Sequence, residues 1–553
     1  MEPSDHQAHA VAANSVSPVH TTFSRDVAGL PEATRTAQVE LGHDEVFELR
    51  AIPVRKRVGD AMVKMLAYNG SAPGPTLRVA QGSEVTIIFT NETDVESTVH
   101  WHGLRLDNRF DGVPEGAHHG MQAPIPTGGR FTYHLRFPDA GLFWYHPHIR
   151  EDYAQEHGLY GNIIVDPSDA AYWGPVNREL VLVLDDILIE DGMIAPFSQS
   201  QPNRTAMGHF GNVMLTNGET DYRAPVNRGE VVRLFITNTA NVRVFNLRIP
   251  GSRLKLVGGD NGRVEREELV EEVLISPSER AIVDVLFDQP GQIALEHHTP
   301  DRTYTLGTLD VSDQPAEHSF AREFGILRQS DALAAERASS AADFDRPPDK
   351  TLALVGEMGH GGGHSGQSGH HGGHGSHHGG QPAGDIEWED TMEMMNRMST
   401  PENMHWKLVD RETGAENHAI QWSFQVGDRV KIRLVNEPHS DHPMQHPMHV
   451  HGQHFLVLKR NGVANTNLQW KDTVLCRAGE TVDLLVEMTN PGAWMAHCHI
   501  AEHIESHMML TFLVRQPHDT TQPAARPPVL EEHMHHGHTQ HMQAEGGKHS
   551  GHA

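Results

Sequence analysis

The chain has 553 residues, 43 of them His, and 44 Lys plus Arg against 73 Asp plus Glu leave a formal charge of −29 with His neutral. That length exceeds one hydrophobic core and predicts about three domains, while the acidity argues against a nucleic-acid partner or an anionic membrane surface. With only Cys476 and Cys498 there is no disulfide framework and no CxxC zinc site, and no apolar run is long enough for a membrane span, so any metal chemistry rests on His, Met, carboxylates and at most a single thiolate.

In chain order, residues 1–40 begin with the polar stretch Met1-Glu-Pro-Ser-Asp5, lack periodicity and read as a flexible tail with no visible secretory signal. Short β-branched segments bounded by Gly, Pro and Asn follow at Val85–Thr90, Phe131–Phe137, Leu180–Leu184 and Val430–Val435. A Gly/His-rich tract occupies 357–384, and a Pro-rich, then His/Met-rich tail occupies 519–553; neither composition packs a core. Long helical periodicity is absent, so the prediction is an all-β chain of sandwiches.

Internal repeats set the domain count. Gly82–Asn91, Gly229–Asn238 and Gly427–Asn436 each run from a Gly turn through a strand to a closing Asn. Gly141 is followed five and seven residues later by His146 and His148, Gly492 by His497 and His499, and Gly291 by Glu296 and His298. The expected domains are 41–168, 169–318 and 345–518, with a linker at 319–344.

After the first repeat strand comes His100-Trp-His102, and after the third His446-Pro-Met-His449-Val-His451; the middle repeat has Phe245-Asn-Leu-Arg-Ile249 instead. The outer two domains therefore carry two His-x-His pairs each, and the middle one none. Residues i and i+2 of a strand share a face, so each pair presents two imidazoles roughly 7 Å apart at the backbone, suited to neighbouring metals or to one metal with some bending. Imidazole suits copper, zinc, iron and nickel.

The last pair reads His497-Cys498-His499-Ile-Ala-Glu-His503 and continues to Met508. Cys498 faces away from its two neighbours, toward His503, Met508 and the earlier His446. One thiolate, two imidazoles and a distant thioether form the ligand set of a blue-copper site. A single residue separates that thiolate from His497 on one side and His499 on the other.

Over about 41–518 these motifs make the chain resemble the three-domain bacterial multicopper oxidases, those similar to laccases and cuprous oxidases. The resemblance implies three cupredoxin-like Greek-key sandwiches and four copper ions. By position, it implies that His446, Cys498 and His503 hold the type 1 copper with Met508 axial, and that His100 and His449 are type 2 ligands. His102, His146, His148, His451, His497 and His499 then serve the type 3 pair. Asp111, eleven residues after His100, matches the family's carboxylate near the cluster, expected to tune bound water and pass protons; the other reading is a turn residue in Phe110-Asp-Gly112. Where some members carry a proton-relay Glu directly after the type 1 His, this chain has Ile504, which leaves Glu502 and Glu505 as candidates. The Gly that usually precedes the axial Met is His507.

The activity so implied is one-electron oxidation of Cu(I), phenols or aromatic amines, coupled to four-electron reduction of O2 to water. The expected setting is copper homeostasis or detoxification in the periplasm or as a secreted protein, as a monomer or small homo-oligomer. The Met-rich stretch Met392–Met398 and the His tracts read either as soft copper-capturing ligands or as a short core-filling helix and flexible linkers. A copper-storage protein working through those tracts is the alternative from a different class.

Overall fold

A computed structural model describes residues 21–115, 120–359 and 386–517. The Gly/His tract beyond Gly359, the tail from residue 518 and residues 1–20 lie outside the described residues, and so do the readings placed on them.

Three β-sandwiches follow one another along the chain. In the first, strands Ala61–Tyr68, Glu45–Val58, Glu84–Asn91 and Arg130–Arg136 form one sheet, and Gln38–Leu41, Thr76–Ala80, Gly161–Asp166, Gly141–His146 and His100–His102 form the other, each in that order. Val85, Ile87 and Phe89 alternate inward along their strand, as period-2 patterning requires, and share a core with Leu77, Trp101 and Ile163 of the facing sheet. The second sandwich sets a six-stranded sheet against Arg223–Arg228, Thr303–Pro315, Gly291–His298, Phe245–Arg248 and Glu272–Ile275. The third sets a sheet built on Lys350–Met358, Arg429–Asn436, Thr481–Glu487 and His454–Arg460 against Trp422–Gln425, Met509–Arg515, Gly492–Cys498, His446–Val450 and Thr473–Cys476. All three belong to one compact unit that ends at Arg515.

The closing Asn of each repeat has one structural job. Asn91 Nδ2 donates to the carbonyls of Val95 and Ile125, Asn238 Nδ2 to those of Arg243 and Ile275, and Asn436 Nδ2 to those of Met444 and Cys476. Each buried amide thus ties the loop after its strand to a second segment far along the chain, satisfying two carbonyls that burial would otherwise leave unpaired.

Two expectations change. Residues 21–37, expected within the flexible tail, pack against the body instead: Thr22 pairs with Ser198, Thr34 with Ser71, and the Phe23 ring stacks on Tyr153 at 3.7 Å. One buried aromatic supplies an anchor that periodicity does not reveal. The linker at 319–344 contains three short helices, Ala321–Phe324, Asp331–Ser339 and Ala341–Asp345, the second capped by Ser330.

Candidate metal centre

Strand register assembles the site. His100 lies opposite His146 and His102 opposite Trp144 in one antiparallel pair, and His449 lies opposite His497 in another. Alternation sends Trp101 and Tyr145 into the first core, 5.7 Å apart, while the imidazoles take the other face. The corresponding pair in the middle sandwich puts Leu247 opposite His297 and Arg248 opposite Glu296, so the same scaffold carries no ligand set there.

The His faces of the first and third sandwiches meet. The His102 ring stacks on His449 at 3.7 Å, and His100 lies 4.1 Å from His451. All eight imidazoles are at most 1% exposed. Their nitrogens fall into groups that could each hold an ion: His100, His102 and His449; His102, His146 and His499; His148, His451 and His497, with candidate ligand atoms within 4.8 Å of one another in each group.

The outer hydrogen bonds decide which nitrogen is free. Nδ1 of His100 donates to the Asp111 carbonyl at 2.7 Å, that of His146 to Pro147 at 2.8 Å, that of His449 to Asp472 at 2.8 Å and that of His497 to Cys498 at 2.8 Å. A ring that donates from Nδ1 presents its Nε2 lone pair. Among the described residues, Nε2 of His100, His146, His449 and His499 has no hydrogen-bond partner. His102 is turned the other way: Nε2 faces Asp472 and Thr473 at 3.0 Å each, and Nδ1 has no partner among the described residues. Burial, then the neighbouring imidazoles, hold His146 and His497 well below the ordinary His value; burial takes His499 to about 3 and His451 to about 4. These four rings are therefore neutral and able to ligate at physiological pH. Inward lone pairs on buried, neutral imidazoles, with a thiol and a thioether on the opposite face of the strand, fit copper.

On the opposite face of the same strand, Cys498 Sγ lies 3.4 Å from His446 Nδ1 and 3.5 Å from His503 Nδ1. Met508 is fully buried in the apolar cluster that contains Cys498, whereas Met509 packs on the other side with Ile504, Met495 and Val113, so Met508 is the methionine on the Cys498 side. His507 adopts φ +71°, the left-handed conformation for which Gly is the usual residue. Trp406, missed in the sequence, covers the site: its ring lies 4.0 Å from His503 and 5.0 Å from His446.

The carboxylates separate. Asp111 sits between sandwiches, its Oδ2 2.9 Å from His451 Nδ1 and its Oδ1 3.3 Å from His100 Nδ1. Burial would raise its carboxyl, but the His451 and His100 imidazoles outweigh burial and hold it well below the usual range. Glu502 points away from the cluster, accepting from His209 Nδ1 at 2.5 Å and Asn241 Nδ2 at 2.7 Å of the middle sandwich. Glu505 is raised to about 7 by burial, then by Asp152. Ile504 fills an apolar pocket. Besides Asp111 and Asp472, a third carboxylate approaches the cluster: Glu151, whose Oε1 is 3.0 Å from His148 Nδ1 and whose pKa is raised well above the ordinary value by burial, Glu505 and Asp152. It lies three residues past His148, and a turn of helix at Glu151–Ala154 aims it; a buried acid directly after a ligand pair was the available signal.

Multicopper oxidase family models match residues 54–170 and 387–518. The chain is 25% identical to multicopper oxidase MmcO of Mycobacterium tuberculosis, over 85% of this chain and 87% of that one. It is 24% identical to a copper resistance protein A homolog of Pseudomonas syringae pv. tomato, over 81% and 89% respectively. The crystal structure of Lac15 from a marine microbial metagenome superposes with a TM-score of 0.58 at 28% identity, covering 85% of this chain and 99% of that one. The protein belongs to the multicopper oxidases, copper-dependent oxidoreductases that oxidise a reductant one electron at a time and reduce dioxygen to water.

Proposed function

We propose that His446, Cys498 and His503, with Met508 as a distant thioether, hold the type 1 copper. His100 and His449 hold the type 2 ion, the other six imidazoles hold the type 3 pair, and Asp111 serves the cluster as its carboxylate. The carrying observation is that Cys498 lies between His497 and His499, so three consecutive residues span the thiolate site and the imidazole cluster. When bound, copper supplies one-electron redox chemistry and activation of dioxygen. The chain excludes bulk water from both sites, fixes the ring orientations through carbonyl tethers, and holds the His451 Nδ1 hydrogen at Asp111 Oδ2.

Cu(I) is the reductant this reading favours over a phenol or aromatic amine. A planar organic reductant needs a ring edge of His446 or His503 at the surface, yet both are fully buried beneath Trp406. Soft ligands do lead inward. Met394 and Met398 are 77% and 64% exposed on the helix Glu393–Met398. Asn396 of that helix accepts from the Met207 backbone N–H at 2.9 Å, and Met207 Sδ lies 3.1 Å from His442 Nε2, whose ring is 5.8 Å from Trp406. Thioether and imidazole side by side suit Cu(I). The likeness to a copper resistance protein agrees with a role in copper detoxification, and such a role places the protein in the periplasm or outside the cell; among the described residues no helix is long and apolar enough to cross a membrane. No observation favours the alternative of a copper-storage protein working through the His- and Met-rich tracts, of which the His tracts lie outside the described residues.

Oxygen uptake by one copper-loaded sample tests this. Cu(I) should be oxidised faster than a phenol, and Met207→Leu combined with His442→Ala should slow Cu(I) oxidation while leaving the phenol rate in place. Equal slowing of both rejects Cu(I) as the preferred reductant.

A further inference from the structure

The middle sandwich carries no ligand set, yet one of its side chains reaches a carboxylate that holds a cluster ring. Arg280 begins the strand Arg280–Phe287 and is 3% exposed. Its guanidinium grips Asp472 of the third sandwich with two parallel hydrogen bonds, Nη1 to Oδ1 at 2.8 Å and Nη2 to Oδ2. Nε donates to the Leu142 carbonyl at 2.9 Å, on the first-sandwich strand that leads to His146, and Nη1 also donates to the Ser278 carbonyl at 2.7 Å. A single planar fork thus joins all three sandwiches, a geometry that the ammonium of Lys cannot reproduce.

Asp472 passes this constraint on. Its Oδ1 lies 3.0 Å from His102 Nε2, and its backbone carbonyl accepts from His449 Nδ1 at 2.8 Å. An ionised carboxylate only accepts, so the hydrogen sits on His102 Nε2 and the lone pair on Nδ1. Among the described residues Nδ1 is the atom without a partner, and this ring is tethered in the opposite sense to His100, His146, His449 and His497. The space is closely filled. A Cβ on Gly103, next to His102, would lie 2.5 Å from Asp472 Oδ2 and 3.0 Å from Arg280 Nη2, and Gly103 has φ +85°. Ser278, two residues before Arg280, is itself at φ +70°.

We propose that Arg280 is a positioning residue for the copper cluster: by fixing Asp472 it holds His102 with Nδ1 toward the metal, and so the domain without ligands sets the geometry of a site it does not touch. This rests on the ligand assignment above. The test compares Arg280→Met and Arg280→Lys with Arg233→Met, which breaks an equally buried Arg pair, Arg233 with Asp284 at 2.8 Å, inside the middle sandwich. Copper is added to each apoprotein against a competing chelator, and copper content, the blue thiolate band and the type 2 and type 3 signals are recorded.

For both Arg280 variants the blue band should persist while cluster copper binds about 10- to 100-fold more weakly with altered type 2 and type 3 spectra. Arg233→Met should lose thermal stability without that pattern. Asp472→Asn, which keeps Arg280, should reproduce the cluster defect should Arg280→Met fail to fold. The inference is overturned if Arg280→Lys retains wild-type cluster affinity and spectra, if Arg233→Met weakens the cluster equally, or if both sites lose copper in proportion. Failure of the wild-type apoprotein to take up cluster copper would instead overturn the ligand assignment.

Discussion

Asp111 and His451 are 340 residues apart in sequence and joined by a hydrogen bond of 2.9 Å across the junction of two sandwiches. The same carboxylate lies 3.3 Å from His100 Nδ1, so it touches a ring from each side of the cluster. Asp111→Asn keeps the shape but removes the charge and one acceptor. Turnover should fall about 10- to 100-fold, while reduction of the blue site by the first electron proceeds at the wild-type rate. Oxygen uptake and stopped-flow bleaching of the blue band separate the two steps; slower bleaching would move the role of Asp111 away from the cluster.

Cys498→Ser should abolish the blue colour and the oxidase activity, because the thiolate between His446 and His503 is lost. The eight imidazoles face away from that change, so three coppers should remain bound. Metal analysis of the purified variant decides; loss of all four ions would mean that the two sites do not load independently.

The repeat Asn residues offer a contrast between stability and function. Asn238→Ala and Asn436→Ala each leave two buried carbonyls without their donor, at a cost of about 2–4 kcal/mol. Only Asn436 holds the Met444 carbonyl, two residues before His446. Both variants should melt at lower temperature, and only Asn436→Ala should also weaken the blue band. Scanning calorimetry beside visible spectra makes the comparison.

Stability should fall at both ends of the pH range. Burial takes His157 from 6.5 to about 3 in the folded chain. A neutral ring depressed in this way contributes its full stability above pH 6.5 and loses it as pH falls from there toward 3, at up to about 1.4 kcal/mol per pH unit. Glu387 is raised from 4.5 to about 8 by burial, then by Asp390. Its contribution has the opposite sign: it is fully present below pH 4.5 and is lost as pH rises through 8. Melting temperatures should therefore decline on the acid side less steeply in His157→Gln and on the alkaline side less steeply in Glu387→Gln. An unchanged alkaline limb in the latter would exclude Glu387 as its source.

What the amino-acid sequence determined by itself was local. The period of two along a strand put His100 with His102, His449 with His451 and His497 with His499 on shared faces, and it placed Cys498 on the other face; the pairings carry out that alternation for His100 with His102, and His451 and His499 extend it one residue past the ends of their strands. The repeats marked the three strands and their closing Asn residues because each is a short, contiguous pattern. Tertiary structure alone decided which outer contacts hold these rings. Arg280 and Asp472, Glu151 beside His148, Trp406 over His503, and Glu502 turned toward His209 all depend on where three sandwiches meet. Contacts across tens or hundreds of residues leave no periodicity in the chain. The carboxylates show the difference: the resemblance pointed to Asp111 from its place after His100, and proximity to His503 pointed to Glu502 and Glu505, while packing turned Glu502 away, left Ile504 in an apolar pocket and brought Glu151 to the cluster.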